Sequence, residues 1–348
     1  MSRVGGEISI GVIALSLAFA TAAQSQTRAS ISSFTEKNVD ATPKRFPLKI
    51  PASGPITLQV EILLDRAGFS PGIIDGTWGI NAAKAITFFT FPDDNRQYTG
   101  DSPPAVTSID EQTYERLRSA ARPTPLVRWY TVSGGDLAGP FTPIPKNVYE
   151  QAKLKCLCYA SPAEALAERF HTSPKFLAQL NPKVKIESLK EGTRVLVPNV
   201  ELDGSALPQD TAIAARIIIS KKGFWTHVID SAGKIIYHFP STLGAGYDPS
   251  PTGDFKVTDI SHDPAFRYQP KLFAEVPDSD PQALLPRGPN SPVGVVWISL
   301  SKRHYGIHGT SSPETIGYAN SHGCVRLTNW DALRLSELAD IGTPVQFR

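Results

Sequence analysis

From Arg216 onward the chain is composed of short β-branched and aromatic runs cut by turns, and no other feature restricts the fold as much. Arg216-Ile217-Ile218-Ile219-Ser220, Trp225-Thr226-His227-Val228-Ile229, Ile235-Ile236-Tyr237-His238-Phe239, Phe255-Lys256-Val257-Thr258 and Val295-Val296-Trp297-Ile298-Ser299 each have strand length and strand composition. Between the second and third, Ser231-Ala232-Gly233-Lys234 reads as a hairpin loop, because Gly233 can take the positive φ that reverses the chain. The last third is therefore expected to be a mainly β unit. With 348 residues the chain is long enough for two or three folding units, so this unit has company.

Upstream, the period changes to that of helices. Leu58, Ile62 and Leu63 recur at helical spacing and Gly68 stops the run. A second helix follows from Asn81 to Phe89, and a third covers Ser108 to Ala120 with Ser108 as its N-cap. These predict a three-helix unit over residues 56–120. Residues 24–55, rich in Ser, Thr and Pro, predict a flexible lead, and 121–145, with its prolines and Gly134-Gly135, a linker. Between 146 and 200 the expected order is helix 162–170, helix 173–180 and strand 194–198, with Ser161 and Ser173 as N-caps.

Arg3, the apolar stretch from Ile8 to Ala20 and the small residues Ala20-Thr21-Ala22-Ala23 have the layout of a secretory signal over 1–23. The stretch is shorter than the ~20 residues of a spanning helix, so an exported product without an integral membrane span is expected. A formal charge of +2 with no basic block argues against a nucleic-acid partner. Three cysteines, Cys156, Cys158 and Cys324, exclude a disulfide scaffold and leave at least one thiol free. Cys156 and Cys158 are close enough to form a local bridge, with Cys324 left over.

Reactive residues are densest in His304-Tyr305-Gly306-Ile307-His308-Gly309-Thr310 and Ser321-His322-Gly323-Cys324-Val325-Arg326-Leu327. A thiol attacks as thiolate, and a histidine brought beside it can take its proton, so the pair has the makings of an acyl-transfer site. Gly309 and Gly323 permit close backbone approach, and amides near Cys324 can face a developing oxyanion. In an extended segment His322 and Arg326 share a face with Cys324. His322 is thus a second candidate base, and Arg326 either lowers the thiol pKa, holds a substrate carboxylate or makes a structural ion pair. A zinc site from His304, His308, His322 and Cys324 is the competing chemistry. It lacks an ordered ligand spacing and a clear carboxylate base.

The motifs Pro251-Thr252-Gly253-Asp254-Phe255, Leu285-Pro286-Arg287-Gly288-Pro289-Asn290-Ser291-Pro292-Val293-Gly294, Ile307-His308-Gly309-Thr310, Ser321-His322-Gly323-Cys324-Val325-Arg326-Leu327 and Gly342-Thr343-Pro344-Val345 occur in order. Together they resemble the YkuD-type L,D-transpeptidase catalytic domain, over about residues 214–348. Leu58-Gln59, Gly68-Phe69-Ser70-Pro71-Gly72, Ile74-Asp75-Gly76 and Trp78-Gly79 resemble a small peptidoglycan-binding domain. Ala163 to Phe170, Asn181-Pro182 and Glu191 to Pro198 resemble a LysM module, a strand-helix-helix-strand fold that binds N-acetylglucosamine chains. The fold implied is multidomain, with a mainly β YkuD-type catalytic domain preceded by a small three-helix domain and an α+β LysM-like module.

The resemblance implies Cys324 as nucleophile, His308 as general base, the Gly309 carbonyl orienting the imidazole, and amides around His322, Gly323 and Cys324 as oxyanion donors. Ser321 and Arg326 fall in the same motif as candidate substrate-binding residues. The implied partners are peptidoglycan stem peptides and glycan, with a wall-attached protein as an acceptor in some members, in the periplasm or cell wall and without a cofactor. The implied reaction is 3,3 cross-linking or protein attachment. A carboxypeptidase that uses water, or a non-catalytic wall-binding protein, is the alternative. Modules tethered by linkers would then act by raising the local concentration of substrate.

Overall fold

The structure is a computed structural model and describes residues 34–91, 106, 108–122, 125–200, 214–244, 246, 249–272, 276–318, 320–321 and 323–348. The expected signal over 1–23 lies outside the described residues.

The first unit contains α1 (Glu36–Val39), β1 (Leu48–Lys49), α2 (Pro55–Arg66), α3 (Ile80–Thr90), β2 (Ser108–Ile109) and α4 (Glu111–Ala120). Gly68, at φ 86°, follows the C-cap of α2 as expected. Two expectations fail. Ser108 is not a cap: it lies in β2, which pairs antiparallel with β1, and Asp110 caps α4 by accepting from the Thr113 N–H. Residues 34–55 are not a flexible lead either. Val39, Leu48 and Ile50 are buried in the core, and Gln59 of α2 donates to the carbonyls of Val39 and Ala41.

The second unit comprises β3 (Val127–Thr131), α5 (Gly134–Leu137), α6 (Val148–Gln151), α7 (Pro162–Arg169), α8 (Pro174–Leu180) and β4 (Arg194–Pro198). β3 and β4 pair antiparallel from Val127↔Pro198 to Thr131↔Arg194. The linker expected over 121–145 is therefore corrected. Its middle is a strand, recruited by a partner more than sixty residues away, which no local signal reveals. Ser161 and Ser173 do cap their helices, accepting from the N–H groups of Glu164 and Phe176. Cys156 and Cys158 form a disulfide, and Cys324 is the free cysteine.

The third unit runs through β5 (Arg216–Ser220), β6 (Trp225–Ile229), β7 (Ile235–Pro240), β8 (Leu243–Gly244), β9 (Gly253–His262), β10 (Phe266–Tyr268), β11 (Ala283–Leu285), β12 (Val296–Leu300), β13 (Gly306–His308), β14 (Asn320–Ser321), β15 (Val325–Arg326), α9 (Asn329–Leu338) and β16 (Pro344–Phe347). Eight of these strands form one mixed sheet in the order β15-β13-β12-β9-β16-β5-β6-β7. The hairpin between β6 and β7 turns at Gly233, φ 82°.

Strand β5 explains how the units are joined. Ile217 and Ile219 pack in one core with Ala332, Leu335 and Leu338 of α9. Ile218, on the other face, belongs to the core of the N-terminal helices, with Trp225, Ile229 and Ile235. A strand covered on both faces needs a continuous apolar run, which Ile217-Ile218-Ile219 supplies. Phe176, Leu180, Leu196 and Val200 of the second unit enter the same core. Polar bonds reinforce the seam: buried Lys84 donates to the Gly223 carbonyl at 2.7 Å, the Ser70 N–H donates to the His238 carbonyl, and the His238 N–H donates to the Gly68 carbonyl. The upstream units are fused to the sheet rather than tethered to it.

Candidate active site

Strands β13 and β15 run parallel, with Ile307 opposite Val325 and His308 opposite Arg326. This pairing brings together the two sequence motifs that are separated by the loop after Thr310. His308, Cys324 and Arg326 line one cleft of about 870 Å³, together with Trp297, His304 and Tyr305.

Each reactive group is held by neighbours. His308 is buried, its Nδ1 lies 2.7 Å from the Gly309 carbonyl, and Trp297 stacks on the ring at 5.2 Å and 17°. A carbonyl only accepts, so Nδ1 carries the proton and Nε2 is left as the basic nitrogen. Burial, and then the nearby Arg326 charge, lowers the His308 pKa to about 3 against the pull of the Gly309 carbonyl. The resting imidazole is therefore neutral. The Cys324 thiol is partly exposed and donates to the His304 carbonyl at 3.7 Å.

The turn that presents Cys324 is fixed from behind. Gly323 takes φ 88°, a conformation suited to glycine, and its carbonyl accepts from Ser250 Oγ at 2.7 Å. Because the peptide is planar, pinning this carbonyl also sets the direction of the Cys324 N–H. Ser321 was expected to contact substrate. It is buried instead, with Oγ donating to the Cys324 carbonyl at 2.5 Å, so it braces the turn that presents Cys324. His322 lies outside the described residues.

Asn329, the first residue of α9, is a brace that sequence reasoning missed. Its Oδ1 accepts from the N–H groups of Thr310 at 3.1 Å and Val295 at 3.3 Å, and its Nδ2 donates to both Glu168 oxygens and to the Pro289 carbonyl. Gly309 is required here. A Cβ at that position would fall 2.2 Å from Asn329 Oδ1. Glu168, on α7, also accepts from Tyr159 Oη at 2.8 Å, and burial raises its pKa to about 7. No motif signals Asn329 or Ser250, because both act through contacts distant in sequence. Among the described residues, no group of three or more His, Cys, Asp and Glu side chains is placed to hold a metal.

Residues 214–347 match the model of the YkuD family, the L,D-transpeptidase catalytic domain. The matched stretch covers the eight-stranded sheet, α9, Cys324 and most of the lining of its cleft. A Bacillus subtilis protein provisionally named the L,D-transpeptidase YkuD is 29% identical over 181 residues, 52% of this chain and 90% of its own length. Escherichia coli YbiS, provisionally named an L,D-transpeptidase, is 30% identical over 189 residues, 53% of this chain and 60% of its own. Among solved structures, an L,D-transpeptidase from Mycobacterium smegmatis is similar at 21% identity and a TM-score of 0.32, over 38% of this chain and 57% of its own. The chain thus spans less than two thirds of that structure. The family match and the named relatives support an L,D-transpeptidase domain at the C-terminal end.

Proposed function

We propose that the chain is an L,D-transpeptidase that acts on peptidoglycan stem peptides through an acyl-enzyme on Cys324. The observation that carries this reading is a neutral histidine, its proton fixed on Nδ1 by the Gly309 carbonyl, lining the same cleft as the free thiol. A resting pKa near 3 makes the imidazole a reluctant base alone. The thiolate that forms as the proton arrives offsets the burial of the imidazolium, so base and nucleophile titrate as a pair.

In the proposed reaction Cys324 Sγ passes its proton to His308 and attacks the carbonyl of the third stem residue. The amide N–H groups of Gly323 and Cys324 are assigned to the oxyanion. The bond to the D-alanine at the fourth position breaks, its nitrogen takes the proton back from His308, and a thioester remains. An acceptor amine, from another stem or from a wall-attached protein, then attacks the thioester and regenerates the thiol. Water in the same role would make the enzyme an L,D-carboxypeptidase. The half-buried Arg326, beside His308 in register, is assigned to a substrate carboxylate. The protein is assigned to the periplasm or cell wall, with the first two units contacting peptidoglycan.

Mass spectrometry with a carbapenem tests the mechanism. One adduct is expected on the native chain and none on Cys324→Ala, and no adduct on the native chain would favour a non-catalytic wall-binding protein. His308→Ala should slow acylation much more than His322→Ala. The opposite order would transfer the base role to His322. Analysis of cross-links in walls treated with the enzyme identifies the acceptor.

A further inference from the structure

The cleft that holds Cys324 is not built by the catalytic unit alone. Between α5 and α7 the second unit extends an arm, residues 138–161, that carries α6 across to the third unit, and Val148 and Gln151 of α6 line the Cys324 cleft. The contact is built at the base and at the tip of the arm. At the base, the Leu157 N–H donates to the Arg287 carbonyl at 2.8 Å, the Asn290 N–H donates to the Leu157 carbonyl at 2.8 Å, and Asn290 Nδ2 donates to the Cys158 carbonyl. Leu157 is fully buried, and the Cys156–Cys158 disulfide brackets it.

The partner segment has made room for the arm. Gly288 sits at φ 136°, and a Cβ there would lie 2.4 Å from the Leu157 carbonyl oxygen. At the tip, Tyr149 Oη donates to the Pro281 carbonyl at 3.1 Å and its ring meets Tyr268 edge-on at 6.3 Å. These contacts hold α6 against the β10–β11 hairpin, whose Phe266 and Arg267 line the same cleft.

We propose that Val148 and Gln151 contact the stem peptide, so that the substrate site is shared between two units and the arm helps to determine which peptides are accepted. They stand three apart on one helix and so face the same way. Gln151 Nε2 is held by the Pro145 carbonyl at 2.8 Å, which orients the amide and offers Oε1 to a peptide N–H. Val148 supplies an apolar contact beside it. This assignment rests on the acyl-transfer reading for the identity of the peptide.

The test uses the full chain with Cys324→Ala, so that bound peptide is not consumed, and calorimetry with a synthetic stem tetrapeptide ending in D-alanine. Gln151→Ala and Val148→Ser should each raise Kd about fivefold, the effect of one hydrogen bond or one small apolar contact. Lys153→Ala, an exposed position on the same arm paired with Glu150, should leave Kd within twofold. Thermal unfolding of each variant separates a lost contact from a misfolded arm. Kd values within twofold of the parent for both cleft variants, or no binding to the parent, would overturn the proposal. Arm-dependent binding without a carbapenem adduct on the native chain would uphold the shared wall and sink the acyl-enzyme. An adduct with arm-indifferent binding would do the reverse.

Discussion

Replacing Gly309 by alanine should damage stability and catalysis together, and the structure gives both size and cause. The new Cβ would sit 2.2 Å from Asn329 Oδ1 and 3.3 Å from Gly294 Cα. Asn329 cannot swing away freely, because its amide is committed to the N–H groups of Thr310 and Val295, to Glu168 and to Pro289. If Asn329 yields, the buried Thr310 N–H and the part-buried Val295 N–H lose their acceptor, at roughly 1 to 2 kcal/mol each, for a loss of about 3 kcal/mol. If Gly309 yields instead, its carbonyl leaves His308 Nδ1 and the imidazole loses its fixed tautomer. A double-mutant cycle by urea unfolding isolates the clash. Asn329→Ala alone should lose about 3 kcal/mol, and Gly309→Ala in that background should lose much less than in the native chain, because the obstructing oxygen is gone. The rate of carbapenem acylation should fall at least tenfold in Gly309→Ala. Additive losses in the cycle, or a Gly309→Ala chain within about 1 kcal/mol of native stability that acylates normally, would refute the reasoning.

Because the His308 pKa is lowered to about 3, its imidazole stays unprotonated well below the ordinary histidine range. Acylation of Cys324 should therefore hold its rate from neutral pH to about pH 5, and an acid limb centred near 6.5 would contradict this environment. Burial raises the Asp331 pKa to about 7, with Asp65 adding to it against hydrogen bonds from Thr328 and Ser70. The folded carboxyl thus holds its proton where the unfolded one has lost it, and stability from this group falls as pH rises from 3.8 to about 7. Asp331→Asn should gain about 3 to 4 kcal/mol on the native chain between pH 4 and pH 8; a pH-independent difference in denaturant unfolding would refute it. The isolated segment 214–348 should unfold without cooperativity, since it bares Ile218, Trp225, Ile229 and Ile235, roughly 6 kcal/mol or more of burial. Cooperative unfolding and native acylation by that segment would restore the picture of tethered modules.

The strands of the third unit were legible because their residues say both strand and burial: Ile217-Ile218-Ile219 is apolar on both faces and is covered on both. The motifs around His308 and Cys324 were legible because their chemistry is local in sequence. Linkers were misread where proline-rich composition met a distant partner. Leu48 pairs with Ile109, and Val127 with Pro198, neither of which local propensity can announce. Ser321 was misassigned for a related reason. Its neighbours in the motif are reactive, but its hydroxyl faces backward to the Cys324 carbonyl. Asn329, Ser250 and the arm at Val148 left no signal, since an amide, a hydroxyl and a valine acquire their roles only from what the fold sets opposite them.

The fusion of the three units meets at one turn of helix. Asn329 holds Glu168 of the second unit together with the loop behind His308; Trp330 stacks on His171 of the second unit at 5.0 Å and 10°; Asp331 accepts from Ser70 of the first at 2.9 Å. His171 in turn lies 3.0 Å from Asp65 of the first unit, so the contacts close a ring through all three. A tether raises local concentration and leaves catalytic geometry alone. This arrangement does more, because the residue that positions the Gly309–Thr310 backbone is itself positioned by a carboxylate from another unit. A displacement in the upstream units would then reach the Cys324 cleft through packed side chains and short hydrogen bonds. In such an assembly the same contacts that join the upstream units to α9 also hold the Gly309–Thr310 backbone that orients the His308 ring.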